Sequence, residues 1–312
     1  MLDGLSLDQL RTFIAAADEG SFSAASRKLR RAQSVVSQSI ANLEDQIGVE
    51  LFDRTGRFPK LTAEGAILIA DARAIVAGID GLKARAKGMA QGLEPELSVV
   101  IEVMFPMIAL TQAAKAFALQ FPATPLRLYV ETLGAAFLPV VDGRCGLGVV
   151  GSLPLMPRGL ASERLPSVEM AMMAAADHPL AGYPGPIPKA ELARHVQLVL
   201  TDRSELSAGR EFGVFSPRTW RLADLGAKHA FLLNGLGWGG MPFLAVADDL
   251  AAGRLVELNI EDQPGRLVME MAAVYPADAP PGPAGRWFIE RLKQCPDAAE
   301  SENRRPQRAA RA

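Results

Sequence analysis

The sequence predicts a multidomain chain in which a small all-α domain, closed by a hairpin, leads into one long amphipathic helix and then a larger α/β region. Three observations carry this reading. Short apolar stripes at three- and four-residue spacing, separated by glycine or paired arginine, fill the chain up to Gly48. A repeat of 4 and 3 runs on from Leu68 to Leu93, and from Leu97 short apolar strands alternate with helical stretches.

Leu7 to Glu19 reads as a helix because Leu10, Phe13, Ile14 and Ala17 form one stripe, which Gly20 ends. A second short helix is expected to be capped by Ser23, to turn Ala24, Ala25 and Leu29 inward, and to break at Arg30 and Arg31. A third spans Gln33 to Ile47, with Val36, Ile40, Leu43 and Ile47 inward and Gly48 as the stop. Its opposite face is unusual. Gln33, Ser34, Ser37, Gln38 and Ala41 make a small, uncharged, hydrogen-bonding stripe where a solvated helix normally carries Lys and Glu, so this face can approach base edges.

Leu51 and Phe52 before Arg54-Thr55-Gly56-Arg57, with Phe58 and Leu61 after, have the pattern of a small hairpin with a basic tip, a wing. Thr62 should cap the long helix, whose stripe is Leu68, Ala72, Ile75, Ile79, Leu82, Ala86, Met89 and Leu93. Such a helix pairs with another chain or lies on the α/β region of its own chain, or both, since Ile67, Ile69 and Val76 give it a second apolar face. Gly92 and Pro95 end it. In the α/β region the expected strands are 97–103, 126–132, 146–151, 169–176, 195–201, 219–223 and 268–275. The expected helices are 107–121, 135–142, 225–234 and 285–293. The proline-rich stretch from Pro154 to Pro188 obscures the pattern, and the polar, Arg-rich residues 296–312 are expected to be disordered.

With 312 residues, 49% of them hydrophobic, the chain can bury more than one core. No uninterrupted apolar run approaches the roughly 18 to 20 residues of a membrane span, and the charges at Asp3, Asp8, Arg11, Asp18 and Glu19 are unlike a secretory leader, so a cytoplasmic protein with no membrane partner is expected. Cys145 and Cys295 lie far apart with no metal-ligand spacing, which signals neither disulfide nor metal, and Cys145 reads as a small buried thiol before it reads as a redox switch. A net charge of −2 argues on average against nucleic acid, but the average conceals two basic patches. Gly20 to Leu43 holds no acid while Arg27, Lys28, Arg30 and Arg31 cluster, and Arg54, Arg57 and Lys60 follow without an acid between Asp53 and Glu64.

The order Leu10-Arg11-Thr12-Phe13, Glu19-Gly20-Ser21-Phe22-Ser23-Ala24-Ala25, Leu29, Gln33, Ser37-Gln38, Ile40, Leu43-Glu44, Gly48-Val49, Leu51-Phe52, Arg54 and Leu61-Thr62-Ala63-Glu64-Gly65 resembles, without a gap, the winged helix-turn-helix domain of LysR-type transcriptional regulators. Asp177-His178-Pro179-Leu180, Gly235 to Pro242 and Gly253-Arg254-Leu255-Val256 resemble landmarks of that family's second domain. The resemblance implies a winged helix-turn-helix at 5–62, a dimerisation helix at 63–92 and an effector domain at 93–295. That domain would have two α/β lobes resembling a periplasmic binding protein, lobe I from 93–163 and 266–295, lobe II from 164–265.

It also implies sequence-specific binding of double-stranded operator DNA, a homodimer assembling to a homotetramer and an unknown small-molecule effector; RNA polymerase stays open as a further partner. No metal or other cofactor and no catalysis are expected. Gln33, Ser34, Ser37 and Gln38 are expected in the major groove, with Ser23, Arg27, Arg54 and Arg57 on phosphates. The dimer seam would use Leu68, Ile75, Ile79, Leu82 and Met89. By position, Met104, Phe105, Thr132, Leu133, Thr201, Asp202 and Ser204 are the candidate effector residues, and Met104 and Phe105 replace small hydroxyl residues common there. Arg203 would pair a ligand carboxylate or be neutralised by Asp202. The chain departs from the family at Ala32, Ser34 and Gln38, where Ser, Pro and Arg are common, and Gln38 suits adenine where arginine suits guanine.

The competing class is a solute-binding protein or enzyme whose N-terminal helices are only structural. Against it, Gly143 to Gly148 precedes a strand and Gly235 to Gly240 lacks the lysine of a phosphate loop. His178, His195 and His229 are expected to lie apart and to serve packing. A regulator that answers to a protein partner, or to no effector, stays open.

Overall fold

The computed structural model describes residues 4–56, 58–151, 156–208, 210–263 and 265–294, which form two compact units meeting at Gly88/Met89. In the first unit, α1 (Leu7–Glu19) starts from a reciprocal cap between Ser6 and Gln9 and ends at Gly20 in the left-handed conformation. α2 (Phe22–Leu29) is capped by Ser21, whose hydroxyl accepts from Ala24 N at 3.0 Å. The expected cap, Ser23, lies one residue inside the helix: extended backbone at Ser21 brings the earlier hydroxyl over the free amides. α3 (Gln33–Ile47) has no side-chain cap at Ala32 and ends at Gly48.

The wing pairs β1 (Phe52–Asp53) with β2 (Lys60–Leu61), and Thr62 caps α4 (Ala63–Ala90) by accepting from Gly65 N at 2.9 Å. Gly65 is obligatory, since a Cβ there would sit 2.2 Å from Leu51 O. Phe13, Val36, Ile40, Leu43, Leu51 and Phe52 form the core, closed by Ile69 and Ala72 of α4. Of the second apolar face, Ile69 packs into the helical domain and not at the expected place, and Ile67 stays 70% exposed. Among the described residues no helix is long and apolar enough to cross a membrane.

The second unit is a nine-stranded mixed sheet shared by two lobes. In the first lobe β3 (Leu97–Glu102), α5 (Met107–Gln120) and β4 (Leu126–Glu131) lead to a 3-10 turn at Leu133–Ala136 and α6 (Leu138–Val141), then β5 (Leu147–Gly151). The single helix expected over 135–142 is thus two short pieces, because Leu133 takes φ 49° and Pro139 begins a new turn. β6 (Leu160–Ala175) leaves this lobe and enters the second, which holds α7 (Lys189–Leu192), β7 (Gln197–Leu200), β8 (Thr219–Leu222), α8 (Leu225–Leu233), β9 (Trp238–Pro242), α9 (Phe243–Ala251) and β10 (Leu255–Glu257). β11 (Leu267–Pro276) returns antiparallel to β6, and α10 (Pro283–Lys293) packs with α5 in the first-lobe core around Phe117 and Phe288.

β6 starts well before the expected residue 169. Pro166 masks this in the sequence, yet it falls at the bulge where the β6–β11 register shifts between Met269 and Met271, a place where a strand tolerates a missing amide. Residues 296–312, with the expected disordered tail, lie outside the described residues, as does Cys295.

Candidate nucleic-acid interface and effector cleft

On α3 the buried side chains are Val36, Ile40 and Leu43, which turns Gln33, Ser34 and Gln38 fully outward and Ser37 half outward. Gln33, Ser34 and Ser37 make no side-chain hydrogen bond among the described residues, and Gln38 uses one amide hydrogen on Asn42 (2.8 Å). The face keeps free donors and acceptors. Beside it, Ser23 accepts from the exposed Arg27 guanidinium at 3.0 Å, so these two act from one turn of α2.

The other basic residues divide into free and engaged. Arg31 is held by Asp8 at 2.5 and 2.6 Å, and this hydrogen-bonded pairing keeps the Asp8 carboxyl below the usual carboxylate range. Lys28 pairs with Glu19 at 2.8 Å, while Arg30 makes no ion pair among the described residues. Arg54 pairs with Glu44 and lies over the Phe22 ring, and the same Glu44 accepts from Leu51 N (2.8 Å) and Phe52 N (3.1 Å). Glu44, not among the expected site residues, thus ties the wing to α3. Arg57 lies outside the described residues.

Of the expected seam, Leu68, Ile75 and Ile79 line an apolar cavity of about 510 Å³ with Leu10, Leu43 and Ile47. Ile75, Leu82 and Met89 remain 51%, 58% and 54% exposed.

In the α/β unit the expected effector residues separate into two groups. Met104 and Phe105 line a cavity of about 660 Å³ between the lobes, walled opposite by Met241 and Leu244 and by Asp224, His229 and Asp248. Thr132, Thr201, Asp202 and Ser204 instead belong to a hydrogen-bonded strap across the lobes, beside which Leu133 turns its amide to Glu102. Thr132 Oγ1 donates to Thr201 O at 2.8 Å, and the Asp202 carboxylate accepts from Gly134 N (3.0 Å), Ala135 N (3.2 Å) and Ser204 N (2.8 Å). Leu133, Thr201, Asp202 and Ser204 also border a separate polar cavity of about 300 Å³.

Burial pushes the Asp202 carboxyl up, but hydrogen bonds from Ser207, Ser204 and Gly134 outweigh it and hold the group below its ordinary value. Gly134 is required by this approach, since a Cβ there would meet Ser204 Oγ at 2.3 Å and Asp202 Oδ2 at 2.6 Å. Arg203 is neutralised by Glu131, rather than by Asp202 as its sequence neighbourhood suggests.

Behind Met104 the 2%-exposed Glu102 accepts from Met104 N (3.0 Å) and, at 3.4 Å, from Leu133 N. Burial pushes its carboxyl up to about 7 against those two amides. On the facing lobe Lys228 donates to Gly240 O at 2.7 Å, and burial lowers its amine to about 8. Cys145 is buried, and burial pushes its thiol up to about 11, the opposite of an activated thiol. The histidines do not all lie apart: His178 and His195 meet edge to face with ring centroids 5.1 Å apart, because the turn after β6 and the entry to β7 share one core. Burial first and His195 second lower the His178 pKa. Among the described residues no group of three His, Cys, Asp or Glu could hold a metal ion.

A helix-turn-helix with an unengaged polar recognition face, followed by two α/β lobes around an apolar cleft, defines a DNA-binding regulator with a substrate-binding domain. The comparisons agree. Residues 7–66 match the bacterial regulatory helix-turn-helix proteins of the lysR family, and residues 90–295 match the LysR substrate binding domain. The uncharacterized HTH-type transcriptional regulator YnfL of Escherichia coli (strain K12) is 30% identical over 91% of this chain and 96% of its own. The HTH-type transcriptional regulator AceR of Acinetobacter baumannii is 26% identical over 92% and 96%. Among solved structures, a mutant of OxyR from Corynebacterium glutamicum shares the fold with a TM-score of 0.54, at 22% identity over 92% of each chain. The chain belongs to the LysR family of transcriptional regulators; it is not an enzyme.

Proposed function

We propose that this regulator reads operator DNA through Gln33, Ser34, Ser37 and Gln38 of α3, while Ser23, Arg27, Arg54 and Arg57 hold phosphates. The observation that carries the reading is the outward face of α3, which holds hydrogen-bonding groups that no neighbour occupies and no formal charge. Arg54 reaches a phosphate only by sharing its guanidinium with Glu44, so its contribution is smaller than that of Arg27. A single recognition helix spans one half-site, and α4 supplies the means of doubling it: Ile75, Leu82 and Met89 form an exposed apolar stripe on a 28-residue helix. Two such dimers make the tetramer this family resemblance implies, and the cytoplasm is where its operator lies.

The effector is a small molecule seated between the lobes against Met104 and Phe105. Its binding shifts the lobe arrangement, and with it half-site spacing and DNA bend. Fluorescence anisotropy of the full-length protein on the DNA upstream of its own gene, against scrambled DNA at fixed salt, tests the reading. Preferential binding supports it, equal binding to both DNAs refutes an operator at that place, and no binding at low salt refutes the assignment of α3.

A further inference from the structure

We propose that the effector of this cleft is an apolar molecule carrying a cationic group, such as an amine; this rests on the reading that the inter-lobe cleft is the effector site. Two of the groups that could hold an anion near the cleft are already taken by carboxylates of the protein itself. Asp202 occupies the Gly134 and Ala135 amides, and Glu131 occupies Arg203, the cationic side chain on the adjoining stretch of the cleft. What stays open is the 660 Å³ cavity, of a size that encloses a drug-sized molecule.

Its walls are largely apolar, and two of their large side chains, Ile108 on one lobe and Leu244 on the other, are 65% and 61% exposed. Burying them against an apolar ligand is the main attraction the cavity offers. Among the described residues no Lys or Arg lines it. The charged lining residues are Asp224 and Asp248, together with His229, whose Nε2 is occupied by Asp249 Oδ2 at 2.7 Å. Asp224 spends one oxygen on Ala227 N (2.6 Å) as the cap of α8, and the exposed Asp248 makes no side-chain hydrogen bond among the described residues.

One feature opposes this balance. α5, α8 and α9 all start at the cavity, α5 and α9 behind Pro106 and Pro242 without a side-chain cap and α8 behind its cap Asp224, and each contributes a partial positive charge of roughly half a unit. Together they offset roughly one and a half of the two carboxylate charges, and only within their first turns, so the cavity keeps a slight negative balance. Their free amides suit a carbonyl, ether or hydroxyl oxygen on the same ligand.

The test titrates the full-length protein at pH 7 with three probes of one shape, 4-phenylbutylamine, 4-phenylbutanol and 4-phenylbutyrate, by calorimetry and thermal shift. The amine should bind tightest and the carboxylate weakest. Asp248→Asn and Asp224→Asn, the latter keeping an acceptor for the α8 cap, should each weaken the amine about ten-fold and leave the alcohol unchanged. Ala245→Trp, which fills the cavity from α9, should abolish binding of all three.

If the carboxylate binds as tightly as the amine and Ala245→Trp blocks both, the cationic class is overturned while the cleft stands as the effector site. Amine binding that survives Ala245→Trp overturns the cleft reading and the proposal with it. Failure of the amine to bind at millimolar concentration overturns the proposal, and upstream-DNA binding by the same preparation shows that the regulator itself is intact.

Discussion

Replacing Glu102 by glutamine should stabilise the α/β unit at pH 8 and do so less at each lower pH. The carboxyl is 2% exposed and burial raises it from its ordinary value of 4.5 to about 7, so the fold favours its protonated form. Between these two values the folded chain keeps a proton that the unfolded chain has shed, and stability therefore falls as pH rises through that window. Each tenfold in proton affinity corresponds to about 1.4 kcal/mol, which gives a cost of about 3 kcal/mol at pH 8, about 1.4 kcal/mol at pH 5.5 and almost none at pH 4. Glutamine keeps one oxygen for Met104 N, the shorter of the two contacts, and turns an NH2 toward Leu133 N, where the 3.4 Å contact is weak. Allowing about 1 kcal/mol for that mismatch, the variant should gain about 2 kcal/mol at pH 8 and gain nothing at pH 5.5. Urea unfolding followed by tryptophan fluorescence reads this unit selectively, since Trp220, Trp238 and Trp287 all lie in it. A difference between the two proteins that stays constant from pH 5.5 to 8 would show that Glu102 does not titrate in this range and refute the argument.

Gly134→Ala should force Asp202 and Ser204 off the turn at 133–136 and cost about 2–3 kcal/mol, the value of two charge-assisted hydrogen bonds at a half-buried site; hydrogen exchange at Gly134 and Ala135 checks it, and unchanged protection refutes it. Leu82→Asp, on the exposed stripe of α4, should shift the protein toward monomer in sedimentation while leaving its circular dichroism intact. Gln38→Arg should move operator preference at one position per half-site from adenine toward guanine, with discrimination of about 1–3 kcal/mol; selection from randomised half-sites that returns the same base for both proteins would remove the idea.

The helical domain was largely legible because its signals are local. α3 begins and ends where its stripe and Gly48 place it, and the heptad of α4 is visible without any partner. Ser23 stands in the sequence as the cap in place of Ser21 because the two serines lie two residues apart and only the extended backbone at Ser21 chooses between them. In the α/β unit most of the failures are non-local, the split of the helix expected over 135–142 at Leu133 and Pro139 being the local one. Pro166 looked like the end of a strand until its bulge partner on β11, about a hundred residues later, was known. Asp202 and Thr201 looked like ligand contacts because nothing near them in sequence reveals that Gly134 and Thr132 meet them. The charged side of the cleft, Asp224 and Asp248, had a faint signal: both lie on strand-to-helix junctions or the helices that follow, the positions from which α/β sheets usually address ligands.

The lobes are joined by β6 and β11, two strands that belong to both and keep their ladder across the passage except at the bulge. A joint of this kind behaves as a leaf spring and not as a ball joint. It resists sliding and wide opening, because each would break a row of hydrogen bonds at once, and it yields in twist about the bulge, where Pro166 and Ser167 of β6 lie opposite the single Glu270 of β11. Ligand occupancy in this regulator can thus be expressed as a small torsion of one ribbon, which turns one lobe relative to the other while the chain path between them keeps its length.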